Sequence, residues 1–320
     1  MPHRIALLGA GFTRNWGGWL ASELAGELCG LVSDDADLAR RLKETRNFEK
    51  VLADTRGEAG RGPTENQRFQ VLQRAVLDAF DGMNRMLARQ HFEFRTVDPE
   101  HWVVRFLAEF DAIYTLNQDI LLELHYIPGK ARLPPIREWR ESVYPGIRLP
   151  DDWLDMMPVG RLDRVLTVGK PTEVPIDSQP IYKLHGSVNW RTDDGSNILV
   201  IGDGKDKTIR ESALLSNYVE QLRRHLDAGD TRLMTIGYSF GDEHINKLIS
   251  CASQSKGLRT YLVNPAGLSV FDSPAKALIT SPSEVFNSLR LAGIMTRPLR
   301  LAFESDELAF NSLWRFMKGV

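Results

Sequence analysis

The chain has 320 residues, of which 42% are hydrophobic and 26% are charged, and its formal net charge is -2. This composition is ordinary for a globular protein, and the small charge excludes a global positive field that would collect nucleic acid or an anionic membrane. The two cysteines, Cys29 and Cys251, form no CxxC pair, which excludes a zinc site built on thiolates of this chain. No apolar stretch has the length of a membrane span or of a signal-peptide core, so we expect a cytoplasmic protein.

The chain opens with a pattern of strand, glycine turn and helix. Residues 4–8 are an apolar run closed by Gly9, Ala10 and Gly11, which predicts a buried parallel strand ending in a turn. Glycines there allow a pyrophosphate to approach the backbone, and the N-terminus of the following helix favours the anion. The third glycine of the dinucleotide fingerprint is replaced by Arg14, and a plain strand-to-helix turn is the alternative.

The stretch of about 34–100 is predicted to be a helical insertion. Residues 34–50 are highly charged and helical in pattern, whereas 68–90 carry an apolar stripe typical of core packing. Residues 57–66 contain three glycines and a proline, which predict a loop between these helices.

A second buried strand is predicted at 111–116, and it runs into Asn117 and Asp119. Both side chains stabilise turns and cap helices, a structural role that can coexist with function. Beyond them, about 128–178 is proline-rich and irregular, which indicates an insertion that covers the site.

His185 follows a predicted strand at 179–184 and precedes Gly186. A neighbouring glycine leaves room for a ligand, and an ordinary histidine pKa of about 6.5 suits a proton acceptor near neutral pH. A packed or solvated histidine is the alternative.

The remaining chain alternates strands and helices. Strands are predicted at 197–201, 232–236 and 259–263, and helices at 212–226, 243–253, 283–292 and 306–317. Ser239 and Asp242 are suitable caps for the helix that follows them. The amide of Asn264 can bind sugar hydroxyls, or it can form a turn before Gly267.

This alternation predicts a Rossmann-like α/β fold with a doubly wound, mostly parallel sheet and no zinc module. In such sheets the ligand lies beyond the carboxyl ends of the strands. We therefore expect five segments to converge on one crevice: 9–13, 117–119, 185–187, 237–242 and Asn264.

Two pairs of acidic residues and histidines raise the question of metal binding. Glu123 with His125, and Asp242 with His244, lack a recognised ligand spacing. We therefore expect no metal site.

Together these segments resemble the sirtuin superfamily. Residues 9–13 (GAGFT) resemble its glycine-alanine-glycine-x-serine cofactor loop, with Thr13 in place of serine, and 115–119 (TLNQD) resemble its threonine-x-asparagine-x-aspartate motif. Residues 184–187 (LHGS) resemble the segment that carries the catalytic histidine. The remaining matches are Gly237-Tyr238-Ser239, which resembles the contact to the adenosine ribose, and Val263-Asn264, which resembles the late asparagine near the adenosine.

The sequence also departs from the sirtuin deacylases. Their proline-aspartate-phenylalanine-arginine stretch and their four zinc cysteines are absent. The chain is most similar to bacterial sirtuin-like effectors of anti-phage defence, of which the phrases at 183–190 (KLHGSVNW) and 236–242 (IGYSFGD) are typical. Those effectors hydrolyse NAD when infection is sensed.

The resemblance implies a single NAD-binding domain over residues 1–320 that cleaves NAD, its substrate, into nicotinamide and ADP-ribose. His185 would act as general base, Asn117 would orient the ribose and the attacking water, and Asp119 would stabilise the nicotinamide pocket. The pyrophosphate would contact Gly9, Ala10, Gly11 and Thr13, and the adenosine end would contact Gly237, Ser239 and Asn264.

Two other functions remain open. An NAD-dependent protein deacylase needs an open acyl-lysine channel, and the missing zinc module argues against it. A non-catalytic subunit that senses NAD or ADP-ribose is the other, and the intact Asn117 and His185 count against it.

An NAD-destroying domain needs a switch, so we expect a homo-oligomer, a companion defence protein such as a sensor or ATPase subunit, or both. The helices at 34–100 are the candidate contact surface. Which partner and trigger act, and whether NADP is also cut, stays open.

Overall fold

The computed structural model describes residues 3–95, 97–131, 141–175, 177–202, 204–272 and 282–319. Within these residues a seven-stranded sheet has the order β10-β9-β8-β1-β2-β5-β3, and a smaller sheet has the order β4-β6-β7. The strands are β1 (Arg4–Leu8), β2 (Ala112–Thr115), β3 (Glu141–Val143), β4 (Leu166–Thr167), β5 (Ser178–Lys183), β6 (Gly186–Arg191), β7 (Asn197–Leu199), β8 (Arg232–Ile236), β9 (Arg259–Val263) and β10 (Arg290–Met295).

Helices cover both faces of the large sheet. They are α1 (Ala10–Thr13), α2 (Ala21–Leu31), α3 (Ala36–Thr45), α4 (Phe48–Glu58), α5 (Pro63–Leu87), α6 (Val103–Ala108), α7 (Ile127–Ala131), α8 (Lys205–Glu211), α9 (Ala213–Asp227), α10 (Glu243–Ser255), α11 (Pro282–Ser288), α12 (Leu299–Glu304) and α13 (Glu307–Lys318). A π-helical turn, Leu122–Tyr126, precedes α7.

Every pair of neighbouring strands in the large sheet is parallel. The central strands are buried on both faces, which is why they read as continuous apolar runs. Ile5, for example, pairs with Ala112 on one side and with Leu233 on the other. The predicted Rossmann-like α/β fold is confirmed.

The loop predicted at 57–66 is wrong. Helix α4 continues to Glu58, a single 3-10 turn follows, and α5 begins at Pro63. Proline is favoured in the first turn of a helix because its missing N–H needs no partner there. Gly57 is tolerated in the last turn of α4 because the buried face of this helix, which includes Val51 and Leu52, anchors it in the core.

The helix predicted at 283–292 is also wrong in part, because α11 ends at Ser288 and β10 follows. Backbone pairing with β9 determines the strand, and the local spacing of apolar residues does not reveal it. Strand β6 was not predicted either. The strand predicted at 197–201 contains β7, but its pairing with β6 in a second sheet was not foreseen. Of the irregular insertion at 128–178, residues 132–140 and 176 lie outside the described residues, and the extent of both insertions stays a prediction.

Among the helices of the described ranges, none combines the length and the apolar character that crossing a bilayer requires.

Candidate functional site

The strand order places the carboxyl ends of β9, β8, β1, β2 and β5 side by side along one edge of the sheet. Hydrogen bonds between backbones continue past the strand ends. Gly9 N donates to Ile236 O at 3.0 Å, and Leu184 N donates to Thr115 O at 2.9 Å. The five segments proposed from the sequence therefore lie at one edge, where α/β proteins bind their ligands.

The glycine turns after β1 and β8 pack directly against each other. Gly11 N donates to Gly237 O at 3.0 Å. A Cβ on Gly9 would lie 2.5 Å from Gly237 O, and a Cβ on Gly237, whose φ is +64°, would lie 2.3 Å from the carbonyl carbon of Gly11. The glycines are thus required by the contact between the two loops, whatever ligand they also approach. Ala10, between them, is exposed.

Thr13, Asn117 and Asp119 form one hydrogen-bonded group. The hydroxyl of Thr13 donates to Asp119 Oδ2 at 2.9 Å and accepts from Asn117 Nδ2 at 2.9 Å. Asn117 Nδ2 also donates to Gly9 O at 3.0 Å. Asp119 Oδ1 accepts from Leu121 N at 3.0 Å, which is the turn-stabilising role that the sequence suggested. The group lines a small cavity at the end of β2.

A buried ion pair lies behind this cavity, and the sequence analysis did not identify it. Lys183 Nζ donates to Glu123 Oε1 at 2.8 Å, to Ser187 Oγ at 2.8 Å and to Asp119 O at 2.5 Å. Both charged side chains are only 1% exposed. Burial raises the pKa of Glu123 while Lys183 works to lower it. A lysine that ends a buried strand was the signal for such a partner.

His185 is 3% exposed, and its Nε2 lies 3.6 Å from Asp242 Oδ1. Burial lowers the pKa of His185 to about 3, although Asp242 works against that effect. The ring of His244 lies beside it, with the centroids 5.6 Å apart. The imidazole is therefore neutral with its lone pair available, but while buried it is a weaker base than the ordinary histidine that the sequence suggested.

The glycine after His185 does not provide room for a ligand, contrary to expectation. Gly186 has a φ of +72°, and a Cβ there would lie 2.1 Å from Ile198 O. The space is taken by the close approach of β7 to β6. This close packing explains why a glycine is needed at position 186.

Asp242 forms an ion pair instead of the helix cap that the sequence suggested. Within the described part of the chain its side chain makes no capping bond to α10. It accepts from Lys205 Nζ at 3.0 Å, and Lys205 also pairs with Glu49 of α4 at 2.9 Å. Burial would raise the pKa of Asp242, but Lys205 and His185 hold it at about 2. No pattern in the sequence indicated Lys205 or Glu49.

These contacts assemble a group that the spacing of Asp242 and His244 alone did not reveal. His185, Asp242 and His244 each present a ligand-type atom, and these atoms lie within 4.8 Å of one another. The sequence spacing of Asp242 and His244 alone indicated no metal site, and the third member, His185, comes from the segment after β5.

The two residues expected at the adenosine end differ in their surroundings. Ser239 is exposed. Asn264 Nδ2 donates to Tyr238 O at 3.1 Å, and its Oδ1 accepts from Ala266 N at 2.9 Å. Asn264 therefore forms the predicted turn and also ties β9 to the loop after β8.

Most of the segments at this edge lie in a range of the chain that matches a known protein family. Residues 111–279 match the family model of the SIR2-like domain. This range is more than half of the chain and contains Asn117, Asp119 and His185. The chain belongs to the SIR2-like family. Membership in this family indicates an NAD-related function of the sirtuin type.

No curated protein matches the SIR2-like chain. The glycine turn at 9–13 precedes the matched range, and the parallel pairing of β1 with β2 and β8 connects it to the rest of the site.

Proposed function

We propose that this SIR2-like protein hydrolyses NAD to nicotinamide and ADP-ribose, as an effector of bacterial anti-phage defence. The observation that carries the proposal is the placement of Asn117 and Asp119 after β2 and of His185 after β5, its direct neighbour in the sheet. Family membership supports the use of NAD. The defence role is proposed from the sequence resemblance.

The reaction breaks the bond between C1′ of the ribose and the nicotinamide nitrogen. The ring nitrogen takes the bonding electrons, so nicotinamide leaves neutral and needs no acid, while positive charge develops on the ribose. Water then bonds to C1′ and loses a proton. His185 would accept that proton, directly or through a ribose hydroxyl, and release it to solvent.

Other residues would hold the substrate. Asn117 would orient the ribose and the water, and Asp119 would stabilise the nicotinamide pocket. The segment Gly9, Ala10, Gly11 and Thr13 would lie against the pyrophosphate, and Gly237, Ser239 and Asn264 would lie towards the adenosine.

The geometry of the site supports a gated enzyme. His185 is buried, and the contact of Lys205 with Asp242 lies next to it. Lys205 is held in turn by Glu49 of α4, within the stretch proposed as a contact surface. We propose that a partner protein or a second copy of the chain moves these helices and gives NAD access to His185.

The test is to incubate purified protein with NAD, alone and with candidate partners, and to separate nicotinamide, ADP-ribose and any cyclic product. We expect equal amounts of nicotinamide and ADP-ribose, and a loss of about 100-fold or more in His185→Ala and in Asn117→Ala. His91→Ala, at an exposed position, is the matched control. Full activity in either folded site variant contradicts the proposal, and bound but uncleaved NAD favours the sensor.

The defence role has its own measurement. Cells that express the wild-type protein should lose NAD after phage infection, and cells that express His185→Ala should not. Equal NAD levels in both strains, with cleavage intact in purified protein, would remove the defence role and leave the enzyme activity.

Protein deacylation is a second candidate because one cavity suits an acyl chain. A space of about 420 Å³ lies between α4, α5 and β7, and its lining combines apolar side chains such as Leu52 and Phe69 with polar ones such as Gln73. It reaches Gly204, next to Lys205. Acyl-lysine peptides incubated with NAD distinguish the two functions, since a deacylase releases nicotinamide only when the peptide is present.

A further inference from the structure

We propose that His185, Asp242 and His244 form a binding site for a divalent transition-metal ion of the zinc class. A bound ion would withhold His185 from NAD cleavage. The second statement rests on the proposed function, whereas the first depends only on the geometry of the three side chains.

The donor set suits such an ion. Imidazole nitrogens and a carboxylate oxygen are common zinc ligands, and three protein ligands leave one position of a tetrahedral ion for water. Ligand atoms around tetrahedral zinc lie about 3.3 Å apart, given bond lengths of about 2.0 to 2.1 Å. The three ligand atoms here lie within 4.8 Å of one another, so closure requires movements of only about 1 Å.

Both histidines have a ring nitrogen without a hydrogen-bond partner in the portion of the chain that the structure describes. Nε2 of His185 and Nε2 of His244 are buried and have no hydrogen-bond partner among the described residues. The distance of 3.6 Å from His185 Nε2 to Asp242 Oδ1 exceeds a hydrogen bond. A buried polar atom without a partner costs free energy, and a metal ion would supply the missing partner for both rings.

A second carboxylate lies beside one of the proposed ligands. Nδ1 of His244 lies 3.3 Å from Asp206 Oδ1 at the start of α8. Metal-binding histidines characteristically donate their other ring N–H to a carboxylate, which fixes the tautomer and leaves the ligating nitrogen unprotonated. Asp206 is in place to give His244 this orientation.

A cation already occupies the neighbourhood of Asp242. Lys205 Nζ lies 3.0 Å from Asp242 Oδ1 and 2.9 Å from Glu49 Oε2. A metal ion would compete with this ammonium for Asp242, and Lys205 would keep Glu49 as its partner. Asp242 would therefore pair either with the ammonium of Lys205 or with a bound metal ion.

Metal binding has a direct consequence for the proposed reaction. An ion on Nε2 of His185 uses the lone pair that would accept the proton from water or ribose. Cleavage of NAD would then stop, and removal of the ion by a chelator would restore it.

The test uses Co²⁺ as a spectroscopic substitute for zinc. The full-length protein, treated with EDTA and dialysed, is titrated with Co²⁺ while its visible absorption is recorded. We expect the intense bands of low-coordinate Co²⁺ in the wild type and in His91→Gln, and their loss in His244→Gln and Asp242→Asn. Lys205→Met should bind Co²⁺ roughly tenfold more tightly because a competing positive charge is removed.

Absence of these bands in the wild type, or wild-type bands in a folded His244→Gln, overturns the proposal. Thermal unfolding of each variant establishes that it is folded, and Asp242→Asn, which keeps the side-chain shape, replaces His244→Gln if that variant unfolds. NAD cleavage is measured separately, in the metal-free protein and after addition of Zn²⁺. A protein that binds Co²⁺ but cleaves no NAD even when metal-free and with candidate partners present contradicts the proposed function and not the metal site, whereas cleavage that Zn²⁺ leaves unchanged contradicts the withholding of His185.

Discussion

At the scale of single residues, Asn117 has a structural role that precedes any catalytic one. Its amide donates to Gly9 O and to the hydroxyl of Thr13, so it joins the end of β2 to the glycine turn after β1. This explains how an asparagine can be held in place at a site where it would also contact substrate.

We expect Asn117→Ala to lower the free energy of unfolding by about 1 to 2 kcal/mol, because two hydrogen bonds are lost. Urea unfolding at constant pH measures this change. Asn197→Ala, at an exposed position in β7, serves as the control and should stay close to wild type. An Asn117→Ala protein as stable as the control would show that the loop does not depend on these bonds.

Gly237→Ala is expected to destabilise the protein by about 3 kcal/mol, since it combines a positive φ with a backbone clash. The new Cβ would lie 2.3 Å from the carbonyl carbon of Gly11. Gly82→Ala in α5 is the matched control, because a Cβ there meets nothing within 4 Å. That control should gain about 0.5 to 1 kcal/mol, since alanine favours a helix. Chemical denaturation of both variants compares the two effects.

The lowered pKa of the buried His225 should make the stability of the fold depend on pH. Its Nδ1 lies 2.7 Å from the hydroxyl of Tyr114, and burial, together with His3, lowers its pKa from 6.5 to about 4. Between these values the unfolded chain binds a proton that the folded protein does not. Stability is therefore fully present above pH 6.5 and falls by up to about 3 kcal/mol as the pH drops towards 4.

His225→Asn keeps a hydrogen-bond acceptor and removes the titration. The difference in unfolding free energy between wild type and variant should change across this pH range. A difference that stays constant with pH would mean that His225 titrates normally in the folded protein.

At the scale of elements, the pair Lys183 and Glu123 connects the end of β5 to the π-helical turn after β2. Lys183 also bonds Ser187, two residues beyond His185. The buried ammonium of Lys183 therefore bonds both the segment that carries Asp119 and the segment that carries His185, and it fixes their positions relative to each other.

We expect Glu123→Gln to lower the free energy of unfolding by about 3 to 5 kcal/mol, because it leaves the Lys183 ammonium buried without its charge partner. The double variant Lys183→Met, Glu123→Leu should be closer to wild type, since apolar side chains replace both charges. Thermal and urea unfolding of the three proteins test this order. A single variant as stable as the double one would contradict a charge-paired anchor.

At the scale of the whole molecule, NAD binding should stabilise the fold, because its site is built from segments that only folding brings together. His185→Ala is the suitable protein, since it should bind NAD without consuming it. At NAD concentrations of about 100 times Kd the free energy of unfolding should rise by about 2.7 kcal/mol. A thermal shift with NAD, compared with equal concentrations of nicotinamide and adenosine, measures the effect. No shift at millimolar NAD, either alone or with the partner protein that opens the site, would argue against an NAD site at this edge.

The sequence by itself determined the parallel sheet and the location of the site along the chain. Residues 4–8, 232–236 and 259–263 are short apolar runs with polar or glycine-rich ends, and such runs predict buried strands wherever they occur. The motifs at Asn117 and His185 follow the strands predicted at 111–116 and 179–184, and they were recognised by their resemblance to sirtuin motifs. These features depend on neighbouring residues alone.

Only the tertiary structure decided which side chains meet. Lys183 and Glu123 are 60 residues apart, and Lys205 and Asp242 are 37 apart, so no local period relates them. Strand order and register bring them together, and those depend on packing over the whole sheet. For the same reason the backbone contact between Gly11 and Gly237, the strand β10 and the group His185, Asp242 and His244 became visible only in the folded chain.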